Sequence, residues 1–136
     1  MPKRRRGSRT APRRIAGTHV PFEQLVERAL AGIPDPFRSA LAEVAIVVDD
    51  DLGPDQRRAH DLAPDEDLYG LYEGVPRTEY GADWTAAPNR ITLFRLPLED
   101  DFPDPADLAE EVRITVIHEL AHHLGIDDER LEELGV

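Results

Sequence analysis

Residues 104–128 read DPADLAEEVRITVIHELAHHLGIDD, and this stretch decides the fold. Asp104 offers a carboxylate to the open N–H groups of a first turn, Pro105 brings a φ already suited to a first helical position, and Asp107 follows three residues after the cap. Gly125 is suited to the left-handed turn that ends a helix. The spacing predicts a helix over residues 105–124. Leu108, Val112, Val116, Leu120 and Leu124 form a slowly drifting apolar stripe, and Ile114, Ile117 and Ala121 carry apolar character around the other side. A helix of that kind is buried on more than one face and organises its domain.

Working outward, Pro21 opens a second helical pattern with Phe22, Leu25, Val26, Ala29 and Leu30 at spacings of three and four, ended by Gly32 and Pro34. A short helix follows over residues 36–43. The run Val44, Ala45, Ile46, Val47, Val48 reads as a buried strand, residues 52–67 as a loop, residues 68–76 as an edge strand, and residues 90–96 as a further strand closed by Pro97. The expected fold class is α/β, in the α+β sense of a small twisted sheet packed on one central helix. The expected organisation is a disordered basic arm over residues 1–20 and one domain over residues 21–136.

Within the long helix stands His118-Glu119-Leu120-Ala121-His122. Four residues advance a helix by about 400°, so the two imidazoles project from nearly the same side, about 6 Å apart along the axis, and can grip one ion. Glu119 is turned about 100° from His118, within reach of a metal-bound water without entering the ligand shell. A catalytic zinc takes three protein ligands and keeps one position open. Asp127, Asp128, Glu129, Glu132 and Glu133 are the candidates for the third. A ligand six residues after the second histidine, beyond a glycine that turns the chain back, matches the His-Glu-x-x-His-x-x-Gly-x-x-Asp spacing, which assigns Asp128, with Asp127 as the alternative. His123 is rotated off the ligand face and is expected beside the site or partly exposed. His19 and His60 read as ordinary surface histidines.

Composition narrows the possibilities. There are no cysteines, so a metal site has to use His, Asp or Glu, and thiol catalysis and disulfides are excluded. No apolar run resembles a signal core or a membrane span, which makes the cytoplasm the expected location. The first twenty residues hold seven of the sixteen Lys and Arg and no acid, so residues 21–136 carry a charge of −19. Such a body repels nucleic acid, and contact with phosphate would fall to the arm alone.

At residues 115–126, at Gly70-Leu71-Tyr72-Glu73-Gly74-Val75-Pro76 and at Arg90-Ile91-Thr92-Leu93-Phe94, the chain resembles the minimal bacterial zincin-like metallopeptidases over roughly residues 21–136. The resemblance implies Zn²⁺ held by His118, His122 and Asp128, with Glu119 as general base on zinc-bound water in the hydrolysis of a peptide or protein substrate. A substrate strand would pair along residues 69–75, or else that segment is a plain core hairpin. Departures from the larger metzincins are the absence of a methionine turn, since Met1 is the only methionine, and the eight residues that follow Asp128. The competing expectation is a non-catalytic metal-binding interaction module on the same scaffold.

Overall fold

The computed structural model describes residues 5–6, 20–63, 65–74 and 89–135. The fold is built on Pro105–Leu124, whose boundaries coincide with the capping signals. Asp104 accepts a hydrogen bond from the Asp107 amide at 3.2 Å. At the other end Gly125 adopts φ 76°, and Ile126 N–H reaches back to the Ala121 carbonyl at 2.8 Å. The left-handed residue thus satisfies carbonyls that the helix leaves open and turns the chain out of its axis.

In chain order the elements are β1 (Arg5–Arg6), α1 (Phe22–Ala31), α2 (Phe37–Ala40) with a 3₁₀ turn (Leu41–Glu43), β2 (Ala45–Asp49) and α3 (Pro54–Ala59). They continue with β3 (Asp67–Leu68), β4 (Gly70–Glu73), β5 (Arg90–Phe94), α4 (Arg95–Asp101), the central helix α5 (Pro105–Leu124) and α6 (Asp128–Leu134). The main sheet has the order β2-β5-β4, with β2 parallel and β4 antiparallel to β5. A small twisted sheet on a central helix is therefore what the chain forms.

Sheet order explains which strand is buried. β5 lies between two neighbours, and Ile91, Leu93 and Phe94 are fully buried. Ile91 and Leu93 join the core that Val112, Val116 and Leu120 of α5 share with Phe22, Leu25, Val26 and Ala29 of α1. Phe94 points into a smaller cluster with Leu52, Leu68 and Leu71. The buried strand expected at residues 44–48 is instead an edge strand, β2, half-exposed along its length, with Val47 36% exposed. An apolar β-branched run marks a strand but does not tell a central one from an edge.

Two expectations on element type also change. Within the expected loop over residues 52–67, Pro54 starts the short helix α3, and Gln56 Oε1 accepts from the Gly53 amide at 2.9 Å. Lacking an apolar stripe, α3 leaves no periodic trace. The expected strand over residues 90–96 stops at Phe94, and Pro97 lies inside α4 instead of closing the strand. In a first turn the missing proline N–H has no partner to lose.

At the basic arm, Arg5–Arg6 pairs antiparallel with β3, Arg5 opposite Leu68 and Arg6 opposite Asp67. Val20 packs on the main core. Residues 1–4 and 7–19, with His19, lie outside the described residues, as do Val75 and Pro76 of the expected edge strand. Among the described residues no helix is long and apolar enough to cross a membrane.

Candidate metal centre

The helix α5 runs without interruption through His118, Glu119 and His122, so the four-residue spacing of the imidazoles is the regular helical one. Both histidines are half-buried, while Glu119, rotated toward the interior, is 1% exposed. Neighbouring positions on one helix thus carry two half-buried imidazoles and one fully buried carboxylate.

Strand β4 explains how a carboxylate sits at that depth. Tyr72 lies opposite Ile91 in the antiparallel ladder, and its amide donates to Glu119 Oε1 at 2.8 Å. A buried carboxylate needs such a donor, because desolvation without one is costly. The approach of β4 to α5 depends on Gly70. A Cβ at that position would stand 2.6 Å from Thr115 Cγ2 and 3.7 Å from Glu119 Cγ. Among the described residues strand β4 is an edge in sheet order, yet Gly70, Leu71 and Tyr72 are buried. A substrate strand along β4 would find the Tyr72 amide already engaged by Glu119.

The remaining predicted residues fall into different places. Asp128 is the first residue of α6 and is exposed. Asp127 caps that helix, accepting from the Arg130 amide at 2.9 Å. Among the described residues no three His, Asp or Glu side chains are gathered closely enough to hold a metal ion. His118, Glu119 and His122 are neighbours through the helical spacing of α5, and Asp128 stands beyond Gly125 on the next helix. His60 ends α3 and is half-buried. His123 is fully buried, where partial exposure was one expectation, with Nδ1 3.1 Å from the Tyr72 hydroxyl and Nε2 2.7 Å from Glu43 Oε1.

A family model described as Zincin-like metallopeptidase matches residues 41–136. The chain belongs to this family. No curated protein matches the sequence. The match runs from the 3₁₀ turn through α6, while α1, which packs along α5 and shares its core, precedes it.

Zinc is the metal that membership in the zincin-like metallopeptidases implies, and the donors on α5 suit it in kind. Two imidazoles at regular helical spacing are donors of the kind zinc takes, and the adjacent turn carries carboxylates and no thiolates. Sequence reasoning missed Tyr72, Asn89 and Glu43 as neighbours of this site. Tyr72 donates its hydroxyl to Asn89 Oδ1 at 2.9 Å, and its ring lies 5.2 Å from that of His122, centroid to centroid. The only sequence signal was the Gly70-Leu71-Tyr72-Glu73-Gly74 segment itself. No periodicity links Glu43 to His123, eighty residues apart.

Proposed function

We propose that this chain is a zinc-dependent metallopeptidase in which His118, His122 and Asp128 hold the metal and Glu119 is the general base. The observation that carries the reading is the placement of Glu119: next in sequence to His118, buried, and fixed by the Tyr72 amide through Oε1. A carboxylate has two oxygens, and with Oε1 held at one point the other, Oε2, is the proton acceptor of the proposed reaction. Zinc, when bound, supplies Lewis acidity to a carbonyl and makes water acidic near neutral pH.

The chain's own residues supply the rest. The two imidazoles bind through neutral ring nitrogens, and Asp128 has to be recruited from the start of α6 when the ion binds. Glu119 takes a proton from the attacking water and passes it to the leaving amine. The substrate class is a peptide or protein, acted on in the cytoplasm. The arm with its seven basic residues is the only segment suited to an acidic or nucleic-acid partner.

One observation favours the second reading, a metal-binding interaction module without turnover. The hydrogen bond between Glu119 and Tyr72 gives this residue a structural task that does not require chemistry. Metal analysis and peptide-library digestion of the same protein separate the readings. The peptidase requires about one zinc per chain and hydrolysis, the module zinc alone. Stoichiometric zinc in a His118→Ala, His122→Ala double variant would remove the proposed site from both.

A further inference from the structure

Tyr72 touches the site in two ways that depend on its placement. Its amide holds the Glu119 carboxylate at 2.8 Å, and its ring lies against that of His122 at 5.2 Å between centroids. Sheet register brings this residue over α5, and contacts at the far side of its ring hold it there. The hydroxyl meets Asn89 Oδ1 at 2.9 Å and His123 Nδ1 at 3.1 Å. His123 is itself fixed from behind by Glu43 Oε1, 2.7 Å from its Nε2. With Nε2 on the Glu43 carboxylate, the ring turns its other nitrogen, Nδ1, to the phenol oxygen. Glu43 stands where the 3₁₀ turn leads toward β2, and His123 follows His122 about 100° further round α5. The buried histidine thus ties the entrance of the sheet to a residue that holds the Glu119 carboxylate.

We propose that His123, anchored by Glu43, is a positioning residue of the site, acting through Tyr72 to fix Glu119 and the ring of His122. Such a role accounts for a fully buried imidazole one residue after His122 that cannot itself reach the ligand face. A core position filled only for packing would take an apolar side chain without the cost of burying two ring nitrogens. The catalytic part of the inference rests on the peptidase reading; the positioning part does not.

The test is made on full-length protein, metal-stripped and zinc-loaded, with Glu43→Ala, Glu43→Gln and Tyr72→Phe. Glu43 is 41% exposed at its side chain, so its replacement leaves the core filled. Tyr72→Phe keeps the amide and the ring and removes the hydroxyl. Hydrogen exchange at the Tyr72 amide should accelerate about tenfold or more in Glu43→Ala and Tyr72→Phe, while the Phe94 amide, bonded to the Tyr69 carbonyl at 3.0 Å, keeps its rate. Zinc affinity, read by competition with a chelator, should weaken by about tenfold, the low end of what partners of metal-bound histidines contribute. The rescue variant Glu43→Gln, which still hydrogen-bonds to Nε2, should restore both. Where a peptide is turned over, kcat should fall with KM unchanged. Wild-type exchange at Tyr72 in both disruptive variants, or equal loosening at Tyr72 and Phe94, would overturn the proposal. Absence of peptide hydrolysis in the wild type would defeat the peptidase reading and leave the exchange result to decide this one.

Discussion

Glu119 and Asp128 stand at opposite degrees of preparation. Glu119 is buried and held, so replacing it has a structural cost separable from any chemistry. Glu119→Ala leaves the Tyr72 amide facing a void, and stability should fall by about 1–3 kcal/mol, the cost of an unsatisfied buried donor. Thermal denaturation of the metal-free chain measures this, and an unchanged midpoint would mean that the hydrogen bond contributes nothing. Asp128 is exposed at the start of α6, whereas the neighbouring Asp127 side chain is engaged as the helix cap. Asp128→Ala should therefore weaken zinc binding by at least about tenfold with little change in apoprotein stability. The opposite pattern belongs to Asp127→Ala, which should cost about 1 kcal/mol of stability through the lost cap and leave the metal largely in place. Chelator competition and melting of the two variants decide between them, and the reverse ranking reassigns the third ligand to Asp127.

Between elements, the contact that makes the site is β4 on α5, and it is made at Gly70. An added methyl group would press within 2.6 Å of Thr115 Cγ2, so Gly70→Ala has to push the strand away from the helix. Overpacking of this kind should destabilise the chain by about 1–3 kcal/mol and loosen the Tyr72 amide with it. A fully stable Gly70→Ala variant would contradict the close approach. The same contact shows what sequence could and could not reveal. Helix α5 was legible to its ends, because Asp104, Pro105 and Gly125 act locally and each determines its own backbone geometry. His118, Glu119 and His122 were legible for the same reason, as helical spacing alone puts them together. Tyr72 was not, since its partners are 47 and 51 residues away and only sheet register brings it over α5. The switch from strand to helix at Arg95 was hidden by a proline that a first turn tolerates. Its guanidinium joins Asp50 and Glu99, each at 2.8 Å, through contacts that follow from packing and not from periodicity. The exposure of β2 goes with a single sheet neighbour among the described residues, which composition does not encode.

Across the whole molecule, a body of charge −19 carries one basic segment, and two of its arginines, Arg5 and Arg6, pair as a strand with Asp67–Leu68. Asp67 is 2% exposed and is held by Arg57 at 2.8 Å, so β3 is a firm edge for that strand. The strand β3 leads directly into β4, so the partner strand of Arg5–Arg6 continues into the strand that meets Glu119. What the molecule does with this arrangement turns on whether Glu119 acts on water or only supports the fold. Glu119→Gln distinguishes the two, because the amide oxygen still accepts from Tyr72 but takes up no proton near neutral pH. Zinc content and peptide hydrolysis should be measured on one preparation of this variant beside the wild type. The predicted result is about one zinc per chain in both and turnover lower by about two to four orders of magnitude in the variant. Undiminished hydrolysis with zinc still bound would contradict Glu119 as the base.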